Sequence, residues 1–352
     1  MERNPLFFML RKHFFMMIFL FFLIPATPTL ALEDHHNVLP KLLEGERILK
    51  ERSFVKNETP TVYLTFDDGP SKLTPQVLDI LKTENVKATF FVLGQLAESK
   101  KDLVKRINDE GHSIGNHTYS HKYNKLYTSF STYWQEIQKT EDILEEIIGY
   151  SPSIVRTPGG TYKNWDPFYF FYMDQADYLI YDWNIDSGDS KRVGVPSNEI
   201  IQNVKKAKLN NKLILLMHDG NGHEYTVKAL PEIIHYFKGK GYQFSILTEK
   251  VEPIVHPNIA TRWERENEFE KRSMFVRTAR EIEFVKNTEK ITRIQQKNFD
   301  DLLSAENTRL LVSAETTWEK VKPKSIKYQI SMLIDKITQV VFSFPMLFNY
   351  NE

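Results

Sequence analysis

Between residues 62 and 218, short apolar runs end one after another in residues suited to chemistry, and this repetition limits the folds open to the chain. Val62-Tyr63-Leu64 leads to Asp67-Asp68, and Ser113-Ile114-Gly115-Asn116 leads to His117 and His121. Ile154-Val155 leads to Arg156, Tyr178 to Trp183 leads to Asp186 and Asp189, and Lys212 to Met217 leads to His218. Residues 75–82, 97–110, 133–148, 197–207 and 227–237 carry the apolar spacing of helices. Strands alternating with helices predict a parallel α/β architecture, a barrel or a doubly wound sheet. In a β/α barrel the strand ends share one face, where the following loops build a site. Each cluster alone has a plainer reading. Asp67-Asp68 before Gly69-Pro70 reads as a turn capping a helix. Asp186 and Asp189 read as turn residues, Arg156 as a surface cation and His218 as a satisfied core histidine. Recurrence at successive strand ends favours a shared site.

Composition narrows the chemistry. A chain of 352 residues fits two domains, or one large domain with an appendage. Lys and Arg total 46, as do Asp and Glu, so no net field argues for nucleic acid. The chain has no cysteine, which excludes disulfides, thiol catalysis and thiolate metal sites. A metal would have to be held by nitrogen and oxygen. His117 and His121 are four apart, a spacing suited to two ligands on one turn of helix. Asp68 as a third ligand gives two imidazoles and one carboxylate, a set that leaves room for water and is common for catalytic zinc.

The motifs resemble those of the polysaccharide deacetylase family, also called the NodB-homology or carbohydrate esterase 4 family. They occur in order: Thr-Phe-Asp-Asp-Gly-Pro at 65–70, His-Thr-Tyr-Ser-His at 117–121, Arg-Thr-Pro-Gly-Gly at 156–160, Asp-Ser-Gly-Asp at 186–189 and Leu-Met-His at 216–218. The resemblance covers about residues 60–250. It implies a distorted (β/α) barrel that removes acetyl groups from N-acetylated sugars with a divalent metal, Zn2+ first and Co2+ or Mn2+ as alternatives. It implies Asp68, His117 and His121 as ligands, Asp67 as general base and Arg156 as the cation that keeps the base ionised. His218 is implied as general acid, with Asp189 orienting it, and Gly159 as a backbone donor to the oxyanion. Leu216 is implied in the acetyl pocket.

The chain also departs from the pattern. Many relatives carry a bulky residue where Gly159 stands, and many have Trp where this chain has Ser190; Trp183 is the candidate substitute. These departures bear on substrate preference more than on chemistry. His112, His223, His235 and His256 have no motif position and read as structural or solvent-facing. Trp165 to Tyr172 reads as core in preference to a sugar-stacking surface.

The ends carry separate expectations. Arg3, Arg11 and Lys12 precede an apolar run from Phe14 to Ile24, then Pro25, Pro28 and the small-residue site Thr29-Leu30-Ala31. This predicts a signal peptide or membrane anchor over 1–31. Residues 32–59 are expected to form a linker or short helix. Residues 251–352 are expected to form a mainly helical appendage without assigned function, whose apolar stretch Ile330 to Phe348 is a candidate membrane-surface helix. A leader without cysteines suits a Gram-positive envelope, so the expected substrate is an acetylated GlcNAc or MurNAc polymer, peptidoglycan first. The rival readings are an O-acetyl esterase on the same site and a catalytically idle sugar-binding protein.

Overall fold

The computed structural model describes residues 38–257 and 260–263. The expected leader or anchor over 1–31 and the stretch Ile330 to Phe348 lie outside the described residues. The strands are β1 (Thr61–Gly69), β2 (Thr89–Val92), β3 (Ser113–Asn116), β4 (Ile154–Val155), β5 (Leu179–Ile180), β6 (Ile185–Asp186), β7 (Lys212–His218) and β8 (Gln243–Ser245). Every pairing is parallel. The order is β5-β4-β3-β2-β1-β7-β6, with β8 against the first residues of β1. Among the described residues no pairing joins β5 to β6, so the curled sheet is an incomplete barrel. The expected distorted (β/α) barrel is the observed fold.

Alternation along β1 explains how it serves core and site together. Val62, Leu64 and Phe66 join Val77, Leu78, Leu213, Leu215 and Ile233 in the layer between sheet and helices. Tyr63, one residue out of phase, packs inside the barrel with Phe91, Ile154, Tyr181 and Ile214. Both faces of β1 are therefore covered, as its apolar sequence requires of a strand in a parallel sheet. Thr65 and Asp67 continue the inner series toward the strand end.

The helices are α1 (Thr74–Thr83), α2 (Gly94–Ser99), α3 (Lys101–Asp109), α4 (Tyr123–Leu126), α5 (Phe130–Ile148), α6 (Pro167–Gln175), α7 (Ser197–Lys206) and α8 (Glu224–Gly239). The single helix expected over 97–110 is two, because Lys100 leaves the helical region at φ −134° and ψ 49°. Helix α5 buries Phe130, Tyr133, Trp134, Ile137, Thr140 and Leu144 at helical spacing and ends at Gly149, whose φ of 81° suits a residue without a side chain. Helix α6 is buried from Pro167 to Asp174, and its N-terminal amides donate to the Asp166 carboxylate. Trp165 to Tyr172 is thus core, and the sugar-stacking alternative falls away.

Residues 251–257 and 260–263 return along the domain. Val251 bridges to Val55. The His256 amide donates to Asp182 at 2.8 Å, and the Trp263 indole donates to Asn164 at 3.0 Å.

Candidate active site

Consecutive residues on a strand point to opposite faces, so Asp67 and Asp68 should diverge. They do not, because the β1–β2 register slips between Asp67 and Gly69. Asp68 occupies the left-handed region at φ 69°, a conformation Asp tolerates better than most residues. The bulge turns the second carboxylate toward His117 and His121. The Asp68 Oδ1 atom lies 3.4 Å from His117 Nε2 and 3.2 Å from His121 Nε2.

The two histidines do not share a turn of helix. Residues 117–122 form a loop, with Thr118 at φ 68° and His121 at φ 59°. Positive φ is costly for a β-branched residue such as Thr118 and persists only where the surroundings enforce it. Here Asn116 does so: its Oδ1 accepts the Thr118 amide at 2.9 Å, and its Nδ2 donates to the Ile137 carbonyl of α5 at 2.9 Å. Glu136 of α5 accepts both the amide and the hydroxyl of Ser120. His117 Nδ1 donates to the Arg156 carbonyl at 2.6 Å, which leaves Nε2 as the ring nitrogen facing Asp68.

Arg156 is fully buried at the end of β4. Its Nη1 donates to Asp67 Oδ1 at 2.9 Å and to the Thr65 hydroxyl at 2.6 Å. Its Nε donates to the Tyr181 carbonyl at 2.9 Å and its Nη2 to the Asp182 carbonyl at 3.2 Å, while Phe91 lies under the guanidinium. A buried cation with its donors engaged in this way holds its partner carboxylate in one orientation.

Across the cleft, strand register sets Asp67 of β1 beside His218 of β7. His218 Nδ1 lies 2.8 Å from Asp189 Oδ1, and the His218 amide and the Thr226 hydroxyl both donate to Asp189 Oδ2 at 2.8 Å. Burial disfavours the charged His218 ring, but the Asp189 hydrogen bond and charge, with Asp67 and Asp68 beyond, push its pKa up to about 9. Burial pushes Asp68 up, yet the imidazoles of His117, His121 and His218 outweigh it and hold the carboxyl below its ordinary range.

Leu216 is buried in β7, opposite Asp186 of β6. Trp183 is half-buried on the Arg156 side, with its ring edge against His256. Gly159 is exposed at φ 69°. Asp186 stays out of the cluster: it is exposed, and its Oδ1 accepts the Gly188 amide, as the plainer turn reading expects. His112 is the neutral core histidine expected, since burial pushes it down to about 4 and its Nδ1 accepts the Ala88 amide.

His223 departs from its expected structural or surface role. Its ring stacks on His218 at 5.0 Å, and its Nδ1 lies 3.7 Å from Asp189 Oδ2. Asp219 was also missed; it is fully buried behind the site, accepts the Thr74 hydroxyl and is pushed by burial up to about 7. In sequence it is one more turn aspartate before glycine, and only the fold shows it is enclosed.

The model of the polysaccharide deacetylase family matches residues 55–165. A peptidoglycan-N-acetylglucosamine deacetylase of Bacillus cereus is 33% identical over 233 residues, covering 64% of this chain and 84% of that protein. The chain belongs to the polysaccharide deacetylase family. Solved relatives agree. A polysaccharide deacetylase from Bacillus cereus superposes with a TM-score of 0.53 at 35% identity, over 56% of this chain and 98% of that one. The catalytic domain of a peptidoglycan N-acetylglucosamine deacetylase from Eubacterium rectale gives 0.55 at 30% identity, over 59% and 98%.

The polysaccharide deacetylase family is metal-dependent, and Asp68, His117 and His121 form a group that could hold an ion. Their donor set passes a further test. Asp68 Oδ1 is buried yet receives no hydrogen bond in good geometry, a costly state that a cation would relieve. Two imidazoles with an unpartnered carboxylate oxygen suit a divalent ion.

Proposed function

We propose that this chain is a metal-dependent N-deacetylase acting on the N-acetylglucosamine or N-acetylmuramic acid units of an extracytoplasmic polymer, peptidoglycan first. The names of its relatives support the substrate class. The observation that carries the chemistry is the buried Asp67–Arg156 pair set between the Asp68/His117/His121 group and the His218–Asp189 pair. Among the described residues no helix is long and apolar enough to cross a membrane.

A divalent cation bound by Asp68, His117 and His121, Zn2+ before Co2+ or Mn2+, would supply Lewis acidity toward water and the acetyl carbonyl. Asp67, aimed by Arg156, takes the proton from water as it attacks the acetyl carbon. The Gly159 amide donates to the oxyanion. His218, charged through Asp189, gives its proton to the departing sugar nitrogen, since an amine leaves poorly as an anion. Leu216 lines the apolar end for the methyl group, and Trp183 walls the groove near Arg156. The products are acetate and a free amine.

The test is incubation of Zn2+-loaded protein with peptidoglycan and chitooligosaccharides, followed by acetate assay and mass spectrometry of the glycan. Loss of one acetyl group per modified sugar is expected. No acetate with Zn2+, Co2+ or Mn2+ on either substrate would overturn the reading. The Asp67→Asn variant is expected to bind Zn2+ with wild-type stoichiometry but to lose at least about 100-fold in kcat. Activity that survived this change would remove Asp67 from its role.

A further inference from the structure

Gly159 leaves a gap that another residue fills. A Cβ on Gly159 would lie only 2.5 Å from the hydroxyl oxygen of Tyr123, so the volume a side chain at 159 would begin to occupy already holds the phenol of α4. The ring of Tyr123 meets His121 edge-on at 5.3 Å and Tyr127 edge-on at 5.7 Å, with Trp263 at 6.5 Å. Those contacts fix the ring. The hydroxyl is a different matter. Tyr127, one turn later, spends its hydroxyl on Thr157 and the Pro158 carbonyl. The Tyr123 hydroxyl makes no hydrogen bond among the described residues and, unlike those of Tyr133 and Tyr172, is not sealed from solvent. It stands between His121, a candidate ligand, and Gly159, the candidate oxyanion donor. A phenol keeps its proton at neutral pH and can donate it in a hydrogen bond.

We infer that Tyr123 is a substrate-binding residue whose phenolic hydroxyl, standing in the space left by Gly159, donates a hydrogen bond to a hydroxyl of the sugar that carries the acetyl group. The inference rests on the deacetylase reading above. A phenol anchored by packing on three rings, with its polar end free, suits recognition of a sugar. Reaching in from α4, it approaches the sugar from the His121 side, and the backbone at 159 stays open.

The test is Tyr123→Phe, which removes one oxygen and keeps the ring contacts. Affinity of the Zn2+-loaded protein for tetra-N-acetylchitotetraose, measured by calorimetry in an Asp67→Asn background, should fall about 3- to 10-fold, the worth of one net hydrogen bond. In the Asp67-containing enzyme kcat/KM on that oligosaccharide should fall comparably, mainly through KM. Turnover of 4-nitrophenyl acetate, which has no sugar, and Zn2+ content should be unchanged. Unchanged oligosaccharide affinity would overturn the inference. So would equal losses on both substrates with reduced Zn2+ content, since Tyr123 would then serve only to support His121. Failure of the deacetylase reading looks different: the Asp67-containing enzyme would release no acetate from the oligosaccharide.

Discussion

His218 sets a pH window, and the sign follows from its protonation. With its pKa raised to about 9, the ring is charged below that value and able to give up a proton. Turnover of an N-acetylated oligosaccharide should therefore fall as pH rises through about 9. Asp189→Asn removes the largest raising influence and should move that alkaline limb down by about one pH unit or more, measurable in a kcat against pH profile. The same pair contributes to folding stability fully below the ordinary histidine value near 6.5 and loses that contribution as pH passes about 9, so the variant should close the gap in Tm between neutral and alkaline pH. His218→Ala should also cost more on an amide than on an ester, because an alkoxide leaves more readily than an amine anion. At this scale the sequence made much of the cluster readable. Asp68, His117 and His121 are residue types a metal needs, and they meet. What the residues could not disclose was how they meet. The left-handed Asp68 that brings two adjacent carboxylates to one cavity depends on a register slip against β2, a non-local event. His223 carries no local signal, and its stacking on His218 exists only because the loop after β7 folds back.

The elements that carry the ligands are held by a few polar braces between strand end, loop and helix. Asn116 closes β3 by holding Thr118 and the Ile137 carbonyl together, and Glu136 holds Ser120. Asn116→Ala would leave the buried Thr118 amide without its partner and take a second donor from the Ile137 carbonyl, at about 1–3 kcal/mol. Denaturant unfolding should register that loss, and Zn2+ affinity should fall with it, because the loop holding His117 and His121 then keeps only its Ser120 tie to α5. An unchanged Zn2+ affinity would show that the loop holds its shape without the brace. Periodicity predicted α1, α5, α7 and α8 well, since each shows one apolar face to the sheet. It failed between α2 and α3, where the apolar pattern runs on through Lys100 while the backbone does not. It was also mute about α6, whose sides are all apolar because all are covered.

Across the whole described domain, the strand-end rule proved the most informative reading, because a parallel α/β sheet brings every such end to one rim. The return of residues 251–257 and 260–263 was not legible, since it rests on scattered bonds, among them those to Asp182 and Asn164, and not on a repeating pattern. A chain ended after residue 250 should melt at lower temperature than one ended after residue 263, because buried Asp182 loses the His256 amide and Asn164 loses Arg262 and Trp263. Equal melting temperatures would reduce the segment to a passive cover. The pairing of β1 with β7 has a consequence in time as well. The Thr65 hydroxyl donates to the Leu215 carbonyl across a separation of 150 residues, and Asp67 meets His218 at the end of that same ladder. Contacts so distant along the chain form late, after the entropy of closing a long loop has been overcome. The proton acceptor and the proton donor therefore stay apart until nearly the whole domain has been collected, and refolding chains should regain secondary structure well before they regain turnover.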